Sequence, residues 1–575
     1  MADSSTEAAN KTLYLNWPKL QTWADKAALP LLLVLALAMR LYGIDWDSGF
    51  LFHPDERAIL MNTSDLAWPS ITNLGVLFNV DESPLNPRWF PYGSFPLYVL
   101  KVLDTLISPF NDLGLVGLSR VGRTLSALAD VATIYVVYLL ARKLFDRRAG
   151  LLAAAFTTFA VIHIQLSHFF TVDTFQTLFA GTSVYFLIRV VLEGQLRYSL
   201  LAGGFVALAI ACKVSSMPLM LPLVMAHVFS ALRQYPFSSI TDLRVPTEWW
   251  VAGRRLVYAG VTVAGVFFIA EPYAIMDFDR FWADVTEQSE MVRRIRDYPF
   301  TRQYVDTTPY IYHIKQLALF GLGLPLGLVA WAGLGYGAYT TVKRRSAARG
   351  VLLLFVVPVF LITGSFDVKF LRYLLPITPF LLIYGSGMLI AGLDWVRERR
   401  VNLAPWALSG IGGVVALTAL YAFSYLTIYS SPHPAVRASA WLNTNAPEGS
   451  LILKEHWEEG IPDVMRGEET QVAGVIEDNG ENGLYVLPGT HSKWVTVRYR
   501  KIEGFRTYMS GELFSVLVEH SILGSLMQGR EMNEDAFERG CLQSLEKDSG
   551  LLHQMFSART LGLFDHVKGE DIHSF

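Results

Sequence analysis

Charged residues in this chain of 575 gather where apolar stretches begin or end. Asp45 and Asp47 directly follow the first such stretch, with His53, Asp55 and Glu56 just beyond. Asp173 heads a later stretch, and Lys213, Lys369 and Arg372 stand at the mouths of others. Carboxylates so placed can exchange protons, and lysine or arginine can hold an anionic group through charge-assisted bonds. Acids this close to hydrocarbon are costly and usually functional. A lone juxtamembrane acid can simply mark the edge of the lipid, and a basic residue at a helix end can simply snorkel, but here the acids cluster. His53 reads as a hydrogen-bonding partner rather than a metal ligand, and with no dense set of metal ligands the requirement for a divalent metal is open.

These residues are positioned by membrane helices. Hydrophobic residues make up 52% of the chain and charged ones 17%, and the mean hydropathy is +0.33, more than ordinary globular domains carry. A hydrocarbon core of about 30 Å takes about 20 apolar residues of helix. By that measure about eleven segments qualify, near residues 28–44, 117–140, 149–165, 174–192, 198–212, 217–232, 256–272, 316–342, 350–364, 372–392 and 405–428. The expected fold is therefore an α-helical polytopic membrane protein. Ser94–Phe110 is apolar but short and interrupted by Lys101 and Asp104, so it reads as a helix lying on the membrane surface. The polar start, Met1–Asn10, does not read as a cleaved signal peptide. Cys212 and Cys541 give neither a disulfide framework nor a metal motif.

Basic residues are held on the cytoplasmic side of membranes. The clusters at Arg142–Arg148, Arg254–Arg255, Lys343–Arg349 and Arg397–Arg400 fall on alternate loops, of the same parity as the N-terminal residues 1–27. They predict a cytoplasmic N-terminus. The acids, the long loops 45–116 and 271–315, and the tail after Tyr429 then face outward across a plasma membrane. The loop 271–315 carries Arg280, Arg293, Arg294, Arg296 and Arg302; it reads as a solvated amphipathic helix, with a lid over a lipid headgroup as the sharper alternative.

Over about residues 20–460 the order of motifs resembles the C-type membrane glycosyltransferases, in particular the protein mannosyltransferase and aminoarabinose transferase branch. The matching pieces are the Asp55-Glu56 pair, the Ala141–Gly150 helix end, Ser167–Asp173, Pro272-Tyr273 and Arg372-Tyr373-Leu374-Leu375-Pro376. The resemblance implies transfer of a sugar from a polyprenyl-phosphate carrier to an acceptor hydroxyl. Asp55 would take the acceptor's proton, while Glu56 and Asp173 orient the acceptor or the base. Arg372, whose fork suits phosphate, with Lys369 and Lys213 would steady the departing lipid phosphate. The partners implied are the bilayer, the lipid-linked donor and an unidentified acceptor, with no nucleic acid. A non-enzymatic transporter of lipid-linked sugars is the alternative, favoured only if acids lay deep within helices.

Residues 429–460 read as the start of an outward-facing domain, with a helix at Ala438–Leu442 and a strand at Ser450–Leu453. From about residue 461 the character changes. Met465–Gln471, Leu487–Val495, Phe505–Thr507, Ser510–Leu513 and Phe556–Arg559 resemble 2-dehydro-3-deoxygalactonokinase, a sugar-acid kinase of the actin-like ATPase superfamily. That likeness covers about 461–565 of the 461–575 tail and implies an α/β fragment. A strand at Leu484–Leu487 would turn through Pro488-Gly489-Thr490, where small residues let backbone amides approach phosphate. His491, Lys493, Arg466 and Glu468 would join the phosphate or substrate contacts. The family's opening phosphate loop has no counterpart and its nucleotide-binding half is missing, so ATP would serve only if the fragment worked, which is not expected. The junction Glu455–Pro462 has no linker-like composition, which suggests a fusion. Phe505, Phe514, Leu517, Phe537 and Leu545 are the expected small core of this tail.

Overall fold

In a computed structural model of the chain, residues 17–235, 246–445, 471–472, 482–499, 501–529, 531–546 and 551–575 are described. They fall into two compact units, Met1–Ser439 and Ala440–Phe575.

The first unit is helical. Its longer helices in chain order are α1 (Trp17–Leu41), α2 (Pro54–Asp65), α3 (Phe95–Ile107), α4 (Gly114–Leu144), α5 (Arg147–Phe159), α6 (Val161–Ser167), α7 (Val172–Glu193) and α8 (Leu196–Cys212). There follow α9 (Met220–Gln234), α10 (Thr247–Ala270), α11 (Phe278–Val292), α12 (Leu324–Lys343), α13 (Ala347–Gly364), α14 (Thr378–Arg399) and α15 (Ala404–Leu426). Each of the apolar segments picked out above holds helix. Among the described residues seven helices are long and apolar enough to cross a membrane, or eight if α5 and α6, bent by 56°, make one span. This is a helical integral membrane protein. With 13 residues α3 is too short to cross.

The core runs through α7, α12, α13 and α14, where Val184, Leu187, Leu326, Ala330, Phe355, Phe380 and Leu381 are buried. Helices in lipid associate through close packing of small residues rather than hydrophobicity. At Gly333 of α12 a Cβ would lie 2.3 Å from the Gly385 Cα of α14, so the two backbones meet where neither carries a side chain.

The α5–α6 break at Ala160, whose N–H closes α5 on Thr157 O at 3.4 Å, interrupts the helical ladder, and in a bilayer the carbonyls there need further partners within the protein. Arg40 provides them from α1: its guanidinium donates to Thr158 O at 3.2 Å and Thr157 O at 3.3 Å. Arg40 Nε also meets Asp130 of α4 at 2.5 Å, and His163 Nδ1 lies 2.6 Å from the same carboxylate. All three side chains are fully buried. Removing one partner of a buried pair strands the other charge, typically at 3–5 kcal/mol. Arg40→Met should therefore lower stability by about 3–5 kcal/mol, read as an earlier thermal unfolding transition in detergent micelles. Adding Asp130→Asn should recover part of the loss, and an unshifted transition in Arg40→Met would contradict the pairing.

Candidate functional site

Helix α2 sets the phase of the acids. His53 caps it, its Nδ1 accepting the Glu56 N–H at 3.2 Å, and Pro54 occupies the first turn, where its fixed φ costs nothing. Successive residues on a helix point about 100° apart, so Asp55 and Glu56 diverge. Glu56 turns inward and is fully buried. Arg123 of α4 grips it, Nε donating to Oε1 at 2.8 Å and Nη2 to Oε2 at 2.7 Å, and Phe170 N–H donates to Oε1 at 2.9 Å. The same guanidinium holds Asp47, at 2.6 Å from Nη2 and 3.1 Å from Nη1. Burial works against ionised Asp47, but Arg123 and the Gly49 and Leu51 N–H groups outweigh it and hold the carboxyl below the usual range. Arg123 escaped the sequence reading, although an arginine inside an apolar helix is itself a signal.

Asp55 pairs with Arg372, in the helical turn Leu371–Ile377 ahead of α14. Asp173, in the first turn of α7, accepts from Lys213 at 3.0 Å. One turn on, Gln176 donates to Ser215 Oγ at 3.1 Å and Ser216 Oγ at 2.9 Å. Lys213 Nζ lies 5.1 Å from the ring centre of Tyr373 and 5.7 Å from that of Tyr92, and Arg372 lies 4.8 Å from that of Phe370, within cation–π range. Burial drives His53 below its ordinary value despite the acids around it, so its imidazole is neutral at pH 7; it stacks on Phe169 at 4.3 Å.

Arg372 and Lys213 both line a cavity of about 230 Å³. Its other walls include Tyr92, Gln176, Glu271 and Tyr373. Helix α11 covers one side through Phe281, Val285, Gln288, Ser289 and Val292, the helical face spacing. Of the arginines beyond it, Arg296 meets Glu290 at 2.8 Å and Arg302 meets Asp297 at 2.9 Å, both largely exposed. The loop thus holds an amphipathic helix whose apolar side lines the cavity. Asp55 and Asp173 stand behind the two cations. Lys369 is buried, donating to Asp367 O at 2.9 Å; burial, with Arg294 nearby, pushes its ammonium below the ordinary value. It does not line the cavity. No three His, Cys, Asp or Glu side chains converge as a metal-ligand group among the described residues.

In the second unit three antiparallel strands, β1 (Gly483–Leu487), β2 (Ser492–Arg498) and β3 (Lys501–Tyr508), are followed by helices Ser510–His520, Glu534–Glu546 and Leu551–Leu563. Gly489, Thr490 and His491 form the β1–β2 turn. That turn is tied to the next helix: Glu512 N–H donates to Thr490 O at 2.9 Å, and His491 Nε2 lies 2.7 Å from Glu512. Lys493 is buried and donates to His491 O at 3.3 Å. Arg466, Glu468 and the Ser450–Leu453 strand lie outside the described residues. The expected small core is corrected. Val472, Val495 and Val497 form it, with Phe505 packed against them, whereas Phe514, Phe537 and Leu545 are 45%, 50% and 83% exposed. Period-2 burial along β2 chose the valines, whereas Phe514, Leu517 and Phe537 line a separate cavity.

Fold and site define a polytopic helical membrane protein with a two-cation cavity, joined to a small α/β unit. Residues 106–243 match the family model of dolichyl-phosphate-mannose-protein mannosyltransferases. Residues 453–575 match that of 2-keto-3-deoxy-galactonokinases, a span wider than the sequence motifs marked out. Two separate segments of the chain thus match two different family models. The tail is 38% identical over 112 residues to 2-dehydro-3-deoxygalactonokinase of Escherichia coli (strain K12), covering 20% of this chain and 38% of that protein. Among solved structures, the apo oligosaccharyltransferase of Archaeoglobus fulgidus is similar at 16% identity with a TM-score of 0.46, over 75% of this chain and 59% of that one. Apo ArnT from Cupriavidus metallidurans is similar at 17% identity with a TM-score of 0.43, over 71% of this chain and 76% of that one. The chain spans about two fifths of the length of the curated kinase it matches.

The two acids of α2 should separate on mutation. Asp55 and Arg372 have side chains 23% and 18% exposed, against none for Glu56 and Arg123, so Asp55→Asn should cost less than breaking the deeper cluster. Arg123→Met strands two buried carboxylates and should cost at least about 3 kcal/mol. Thermal unfolding of both variants in one detergent checks this, and equal shifts would contradict the division.

Proposed function

We propose that this chain is a membrane glycosyltransferase that moves a sugar from a polyprenyl-phosphate carrier to an acceptor hydroxyl on the extracytoplasmic side of the plasma membrane. The observation that carries the reading is the cavity in which Arg372 and Lys213 meet while Arg372 holds the Asp55 carboxylate. The match of residues 106–243 to the mannosyltransferase family supports it. In this reading all eleven apolar segments are spans, and the basic loops hold the N-terminus in the cytoplasm.

The mechanism follows from partner exchange. The donor's phosphate is a bidentate ligand for the Arg372 fork. As it binds, Arg372 turns from Asp55 to the phosphate, and Asp55 is left with a free carboxylate beside the donor. The acceptor oxygen attacks the anomeric carbon, its proton passing to Asp55, while the bond from that carbon to the phosphate oxygen breaks. The departing phosphate keeps the electron pair, and Arg372 and Lys213 stabilise its charge without reorganisation. Asp173 fixes Lys213, and Glu56 anchors α2 through Arg123. Lys369 is assigned to shaping the loop that carries Arg372. These roles are assigned without a metal.

The tail is proposed to be a fused kinase-like segment that does not act as a kinase, because in this reading it lies outside the membrane, where ATP is not supplied. The test is transfer from a panel of radiolabelled polyprenyl-phosphate sugars in membranes bearing the full chain, the chain ending at Glu459, and Asp55→Asn. Both lengths should transfer, and Asp55→Asn should lose about 10²–10⁴-fold. Well-expressed full-length protein inactive with every donor would contradict the reading, and ATP-dependent phosphorylation of 2-dehydro-3-deoxygalactonate would contradict the assignment of the tail.

A further inference from the structure

Glu271 directly follows α10 and points into the cavity from outside that span. One oxygen is engaged: Oε1 accepts the Ser94 N–H at 3.1 Å, with Ser94 Oγ at 3.5 Å. The other, Oε2, is buried and has no hydrogen-bond partner among the described residues. The residue is 1% exposed. A buried carboxyl oxygen left without a partner is costly, and one on a residue that lines a cavity is a place for a ligand to meet.

The backbone that holds this arrangement is tightly constrained. Gly93 N–H donates to Cys212 O at 2.9 Å, and a Cβ on Gly93 would lie 1.9 Å from Ala211 O. Only glycine allows this approach, which brings Ser94 to Glu271 and the end of α8 to the cavity. The walls divide by chemistry: Lys213 and Arg372 are cationic, whereas Glu271, Gln176, Gln288 and Ser289 offer carboxyl, amide and hydroxyl groups. The cations suit a phosphate. Burial, against the opposing Ser94 bonds, pushes the Glu271 carboxyl up to about 8, so at pH 7 it carries a proton and can both donate and accept. That pairing suits a hydroxyl and does not repel the phosphate. Lys213, Arg372, Tyr92 and Tyr373 share the cavity with it, and Cys212, Tyr98 and Tyr273 flank it.

Resting on the transferase reading above, we propose that Glu271 positions the sugar of the lipid-linked donor through a hydrogen bond from its free carboxyl oxygen to a sugar hydroxyl. Glu271 is thus a specificity-determining residue, reading the sugar while Arg372 and Lys213 read the phosphate.

The test uses the full chain in detergent micelles, with Glu271→Leu and Glu271→Gln beside the wild type. Donor KM and kcat are measured with whichever polyprenyl-phosphate sugar the wild type uses, and binding of the sugar-free polyprenyl phosphate is measured separately. Glu271→Leu should raise donor KM by about tenfold or more while kcat stays within about twofold and sugar-free lipid binds as in wild type. Glu271→Gln, which keeps a donor and an acceptor, should restore KM to within about threefold. Wild-type KM should rise as pH passes about 8, where the proton is lost, and Glu271→Gln should not show that rise. An active wild type with unchanged KM in Glu271→Leu overturns this proposal alone, as does equal loss of sugar-free lipid binding. A wild type inactive with every donor overturns the transferase reading and this proposal together.

Discussion

An ion in a low-dielectric interior must be paired or it destabilises the fold, and the membrane unit is organised around that constraint. Arg40 with Asp130, and Arg123 with Asp47 and Glu56, are pairs whose side chains are essentially unexposed. Lys213 with Asp173 is 15% and 2% exposed, and Arg372 with Asp55 is 18% and 23%. The two deep clusters join helices far apart in sequence and have no other anion to turn to. In the proposed mechanism Arg372 trades Asp55 for an arriving phosphate, an anion that replaces the carboxylate it displaces, while Lys213 stays fixed by the buried Asp173. On that proposal, pairing that is permanent in the bundle becomes exchangeable at its edge.

Exchangeability links structure to chemistry. A carboxylate held by Arg372 through Oδ2 is kept in place, with that oxygen engaged by the guanidinium. Arrival of the phosphate would release it where the sugar lies, so activation of the base would be coupled to binding of the donor. Helix α11 contributes by covering the cavity with its apolar face, since the attraction between a phosphate and two cations is stronger where water is excluded.

Much of this was readable in the chain. Runs of apolar residues located the helices, because the thickness of the hydrocarbon sets their length. Asp55, Asp173, Lys213 and Arg372 stood out because charge at a helix mouth is conspicuous. What failed to show was pairing. Arg123 meets Glu56 across 67 residues and Arg40 meets Asp130 across 90, and no local pattern reports such contacts. Nor could adjacency tell Asp55 from Glu56; the His53 cap and Pro54 start fix which of them turns inward. Glu271 seemed only a loop boundary, since an unpartnered buried oxygen is a property of the fold. In the tail, apolar helix residues suggested a core that the sheet valines occupy instead.

The decisive measurement is the affinity of the full chain for a sugar-free polyprenyl phosphate, compared among wild type, Arg372→Met and Asp55→Asn. If Arg372 exchanges Asp55 for phosphate, Arg372→Met should weaken binding about tenfold or more. Asp55→Asn should bind as tightly as wild type or tighter, because the competing carboxylate is gone. Wild-type affinity in Arg372→Met, or weaker binding in Asp55→Asn, would contradict the exchange.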